Sequence, residues 1–77
     1  MNKDRRKRLQ EICDILEEEQ AALEEIRDEE QEAFDNLPEG LQCTERGQAM
    51  EEAAGDLDSA CSDLESLREI LVEILER

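Results

Sequence analysis

Residues 50–74 read MEEAAGDLDSACSDLESLREILVEI, and their spacing decides the fold. Met50, Ala53, Leu57, Ala60, Leu64, Leu67, Leu71 and Ile74 follow one another at steps of three and four. A helix turns once in 3.6 residues, so this spacing puts all eight on one stripe and predicts a long helix. Thr44 supplies an N-cap oxygen for it, and Glu45 suits the positive end of the helix dipole, so the helix is expected over about 44–76. Gly47 and Gly55 each cost about 1 kcal/mol relative to Ala in a helix interior. Gly47 is cheap so near the end, and Gly55 is expected to permit close helix approach.

Upstream, Leu9, Ile12, Leu16, Leu23, Ile26, Ala33 and Leu37 repeat the same alternation, with Glu19 and Glu30 filling the gaps, which predicts a first helix over about 3–36. Pro38 disfavours helical geometry at Leu37, and Gly40 is expected to supply a positive φ, so 37–43 reads as a reversal. Two helices of about 33 residues joined by a short turn form an antiparallel hairpin roughly 50 Å long. The predicted fold is therefore all-α, a single hairpin domain spanning residues 1–77. Ile15, Phe34, Ala54, Cys61, Ile70, Val72 and Leu75 widen the apolar stripe beyond what one partner helix covers. Two hairpins are accordingly expected to form a homodimer, a four-helix bundle or coiled-coil assembly whose core includes Leu64, Leu67, Ile70, Leu71 and Ile74.

A 77-residue chain buries only about 60% of its unfolded surface, too little to enclose a large catalytic cleft. It has no His, Trp or Tyr and one Phe, which removes the commonest general base and the platforms for base stacking. Cys13, Cys43 and Cys61 are an odd number without metal-ligand spacing and read as free thiols in a reducing cytoplasm. The longest apolar run, Ile70-Leu71-Val72, falls far short of a membrane span of about 20 residues, and no secretory leader pattern follows the basic start. Glu19 and Glu30 are the one pair that could invite Mg²⁺, but 11 residues separate them, about 16 Å along a helix, so no enzyme, metal or cofactor is expected.

The charge is unevenly laid down. Of a formal net −15, residues 1–8 hold five cations and one carboxylate, net +4, leaving 4 cations against 23 carboxylates, net −19, on 9–77. Glu11 to Asp35 contains 12 carboxylates and the single cation Arg27. Asp14 and Glu18, Glu24 and Asp28, Glu25 and Glu29, and Asp28 and Glu32 stand one turn apart, each pair costing a few tenths of a kcal/mol. Solubility does not require that pattern, since interspersed Lys would serve as well. Nineteen charges over roughly 50 Å come to about one per 2.6 Å, approaching a nucleic-acid duplex at about one per 1.7 Å, and a dimer doubles them. The pattern points to a protein partner with a basic nucleic-acid-binding groove, in which Glu17, Glu18, Glu24, Glu25, Asp28, Glu29 and Glu32 stand in for phosphates. Two plainer readings remain open: a face that is only solvated, and an adaptor coiled coil that docks through its apolar seam. Lys3, Arg5, Arg6, Lys7 and Arg8 either screen Glu69, Glu73 and Glu76 at the neighbouring helix end or form an arm that touches nucleic acid.

The string Asn36-Leu37-Pro38-Glu39-Gly40-Leu41-Gln42 and the following Glu45-Arg46-Gly47-Gln48-Ala49-Met50-Glu51-Glu52-Ala53 resemble a signature of small acidic helical proteins of Firmicutes phages and mobile elements. Glu25 to Phe34 fits the same pattern, so the resemblance covers roughly residues 1–55. It implies a phage or mobile-element accessory protein working in the cytoplasm of a bacterial host cell, a class in which acidic inhibitors of host defence nucleases, CRISPR effectors and restriction enzymes among them, are common. The apolar finish from Leu67 to Leu75 is less polar than that class leads one to expect.

Overall fold

A computed structural model describes residues 1–77. Three helices follow one another: α1 (Lys3–Asp35), the short α2 (Glu39–Gln42) and α3 (Glu45–Glu76). α1 starts where the Asn2 side chain accepts from the Arg5 amide at 2.9 Å, and α3 where Thr44 accepts from the Gly47 amide at 3.3 Å. α1 and α3 lie antiparallel and make a rod 58 × 15 × 14 Å. No helix is long and apolar enough to cross a membrane.

The reversal is built differently from the expectation. No glycine has a positive φ. Instead Pro38 opens α2, its carbonyl accepting from the Leu41 and Gln42 amides at 2.8 and 3.2 Å. The Gln42 amide group then donates to the Phe34 carbonyl at 3.3 Å, which also accepts from the Leu37 amide at 3.0 Å, and to the Leu37 carbonyl at 3.2 Å, tying α2 back to the end of α1. Gly40 sits inside α2 with open space where a Cβ would be.

Gly47 fixes how α3 is rotated. A Cβ there would stand 2.5 Å from the Gln42 carbonyl oxygen and 2.6 Å from that of Leu41. The end of α2 therefore rests directly on the backbone of α3, at a position only glycine leaves clear. Gly55, in contrast, meets nothing within 4 Å, so it is not a point of close helix approach within the hairpin.

With α3 rotated in this way, the interface keeps half of each predicted stripe and exchanges the other half. Leu9, Leu16, Leu23, Glu30 and Leu37 face Met50, Leu57, Leu64 and Leu71 across the hairpin; these are the d rows of a heptad. The other row, a, is Arg6, Cys13, Gln20, Arg27 and Phe34 from the first half, with Gly47, Ala54, Cys61, Arg68 and Leu75 from α3. Outside these rows only Glu24, Ala53 and Ile74 in the two long helices escape full exposure. Phe34, Ala54, Cys61 and Leu75 thus belong to the seam itself and do not widen it. The residues one step earlier, Ile12, Glu19, Ile26 and Ala33 with Ala53, Ala60, Leu67 and Ile74, form the g rows along one edge of the hairpin. There Ile12, Ile26 and Leu67 are 48%, 52% and 46% exposed. Of the residues expected to build an oligomer core, Leu64 and Leu71 pack within the hairpin, Ile74 is half-buried at the edge, and Leu67 and Ile70 face solvent.

The resulting core is small. Cys13, Ala54 and Cys61 are its buried apolar members, and no large side chain is fully enclosed. Both cysteines pack as small apolar groups, while the Cys43 thiol is exposed.

Candidate acidic face

The carboxylates gather on the sides of the hairpin that the g edge does not occupy. Glu11, Glu18, Glu25 and Glu32 recur every seven residues and stand about 10.5 Å apart in one line along the outside of α1. All four are exposed, as is Glu29 beside them, and none has an ion-pair partner. Glu11 was not singled out by its local sequence; the seven-residue recurrence of Glu was the signal that could have found it.

The remaining expected residues are engaged by seam side chains. Arg27 leaves the a row to bind Asp28 at 3.0 Å on its own helix and Asp58 at 3.2 Å on α3. The hydrogen bond that Arg27 donates to the Asp28 carboxylate is the main cause that raises the Arg27 pKa above its ordinary value, with desolvation acting the other way. The sign places any contribution of this pair below the folded pKa, to be lost only in strong alkali. Arg68 donates to the Gln20 amide oxygen at 2.6 Å and reaches Glu17 at 3.8 Å. Gln20, 9% exposed, passes the chain on by donating to Glu24 at 3.2 Å. Glu17, Glu24 and Asp28 are thus held in place, whereas Glu18, Glu25, Glu29 and Glu32 project freely.

This use of Arg27 and Arg68 has an electrostatic consequence. Residues 9–77 contain four cations, Arg27, Arg46, Arg68 and Arg77, and two of them are spent inside the seam. The outer line of α1 is left without compensation between Glu11 and Asp35. Over the 58 Å rod, 19 net charges come to about one per 3.1 Å, roughly half the linear density of a duplex.

The basic segment is helical from Lys3 onward. Arg6 folds back across the open end and donates to the Leu75 and Arg77 carbonyls at 2.7 and 2.9 Å, capping α3. The contact is with backbone carbonyls, not with Glu69, Glu73 or Glu76. Arg8 pairs with Asp4 at 3.5 Å, and Lys3, Arg5 and Lys7 are exposed. Glu19 lies exposed on the g row and Glu30 half-buried on the d row, and no group of three or more potential ligands converges on a point that could hold a metal ion. No protein-family model, no curated protein and no solved structure matches the chain.

Proposed function

We propose that this protein acts by binding another protein, as an acidic stand-in for nucleic acid that inhibits a defence nuclease such as a CRISPR effector or restriction enzyme. The observation that carries this reading is the free line Glu11, Glu18, Glu25 and Glu32 with Glu29 beside it, left uncompensated because the nearby arginines are turned into the seam. An array held on one rigid helix offers a basic groove fixed anionic positions in place of phosphates, and displaces the counterions there. In this reading the protein belongs to a phage or mobile element, works in the cytoplasm of the bacterial host, and is a homodimer that assembles its hairpins into a four-helix bundle. Lys3 and Lys7 extend the contact to nucleic acid beside the blocked protein.

The test compares pull-downs from host lysate with the wild type and with Glu18, Glu25, Glu29 and Glu32 changed to Lys, far-UV circular dichroism confirming the fold of both. Mimicry predicts that the wild type retains nucleic-acid-binding proteins, that the variant loses them, and that raised salt weakens their capture. Capture that survives charge reversal would refute it. That outcome would favour the adaptor reading, which draws on the exposed Ile12, Ile26 and Leu67.

A further inference from the structure

The hairpin buries polar side chains and exposes apolar ones at neighbouring positions. Gln20, Arg27 and Arg68 occupy its a rows, while Ile12, Ile26 and Leu67 remain outside on the g rows. Apolar side chains spread over a, d and g, with polar ones among them at Gln20, Arg27, Arg68 and Glu19, reach beyond the a and d rows that a two-helix seam needs, as in a helix of a bundle. We propose that a second copy of this chain covers the g edge, and that the two hairpins lie antiparallel over their full length, the reversal of each beside the open end of the other.

Two features of the chain select this arrangement. The first is charge. The half of the rod holding the reversal, residues 23–61, has 13 carboxylates and 2 arginines, net −11; the open half, residues 1–22 and 62–77, has 11 carboxylates and 7 cations, net −4. A parallel pair sets −11 beside −11. The antiparallel pair sets each −11 beside −4 and brings Arg5, at the open end of the g row, towards Glu39 and Glu45 of the other copy. The second is side-chain size. The large Ile12 and Ile74 come from the open half and the small Ala33 and Ala53 from the half with the reversal. End-over-end pairing sets the large pair against the small one, so the bulk along the interface is evened out. A parallel pair stacks large on large at one end and leaves alanines facing alanines at the other.

The arrangement rests on the dimeric part of the proposed function and sharpens its charge argument. Two fully overlapped chains carry −30 on a rod 58 Å long, about one net charge per 1.9 Å, close to the duplex value of about 1.7 Å. The g edge is then covered, and the outer glutamate lines of both copies stay exposed.

Cys43 gives a direct test, since it is the one exposed thiol and lies at the reversal. A nitroxide attached there in the otherwise native protein, at dimer concentration, is measured by double electron–electron resonance. The antiparallel pair predicts a separation on the order of 50 Å, approaching the 58 Å rod length. A separation well under half the rod length means a parallel pair and overturns the orientation. A monomer mass by sedimentation equilibrium overturns the dimer itself, leaving the charge-reversal test of mimicry standing independently. The variant Ile26→Asp with Leu67→Asp is expected to halve the mass with its helical circular dichroism retained, because both residues are exposed in the hairpin. A dimer mass that survives both changes would overturn the choice of edge.

Discussion

Gly47 and Gly55 sit in the same helix eight residues apart, and alanine at each should move stability in opposite directions. At Gly55 a new Cβ meets nothing within 4 Å, so Gly55→Ala gains the helix propensity difference, about 1 kcal/mol. For a domain of this size that raises Tm by roughly 4–8 °C. At Gly47 the φ angle is not positive, so alanine suffers no backbone strain there. The obstacle is steric: a Cβ would approach the Gln42 and Leu41 carbonyl oxygens to 2.5 and 2.6 Å and the Gln42 carbonyl carbon to 2.8 Å. These are backbone atoms of α2, which must lift off α3 as a unit. Overpacking of this kind costs about 1–3 kcal/mol and outweighs the propensity gain, which is itself small in the first turn. Gly47→Ala should therefore lower Tm by several degrees, with the two variants about 2–3 kcal/mol apart. Thermal unfolding followed by circular dichroism at one fixed protein concentration measures the difference, since Tm of an associating chain depends on concentration. If Gly47→Ala stabilised the protein as much as Gly55→Ala does, α2 would not rest on α3 and the account of the reversal would fail.

Raising NaCl from about 10 mM to about 1 M shrinks the Debye length from about 30 Å to about 3 Å, and with 24 carboxylates against 9 cations the repulsions it screens outnumber the attractions. Tm should rise by a few degrees, and a fall would show that ion pairs dominate. Arg68→Ala removes the partner of a nearly buried Gln20 and should cost about 1–3 kcal/mol, whereas Arg68→Leu with Gln20→Leu should be neutral or stabilising. A double-mutant cycle in urea decides, and additive losses would mean the two side chains do not act together. Thiol titration with a disulfide reagent should show one fast group, Cys43, in the native protein and three after denaturation. Two fast thiols would contradict the burial of Cys13 or Cys61.

Much of the architecture was legible because it depends on local signals. Thr44 caps α3, and the spacing of Leu9, Leu16, Leu23, Met50, Leu57, Leu64 and Leu71 places the d rows. The string from Asn36 to Gln42 has a structural use: Pro38 opens α2 and Gln42 closes α1. What misled was the choice between adjacent candidates. Ile12 or Cys13, Ile26 or Arg27, Leu67 or Arg68 each continue a three-four alternation, and hydrophobicity favours the first of each pair. The structure takes the second. The same choice explains why the free carboxylates were only partly foreseen, since the outward direction of α1 follows from which row points inward.

The sequence by itself determined two long amphipathic helices, a reversal at Pro38 and a surplus of negative charge, because each depends on residue identity and spacing along one chain. Only the tertiary structure decided the rotation of those helices about their axes. The g and a rows lie about 60° to either side of d, so periodicity cannot separate them. Gly47 breaks the tie for α3: α2 rests on it in the first turn, where no side chain intervenes, and that contact goes with Arg68 turned inward and Leu67 out, while on α1 the seam takes Arg27 and leaves Ile12 and Ile26 outside.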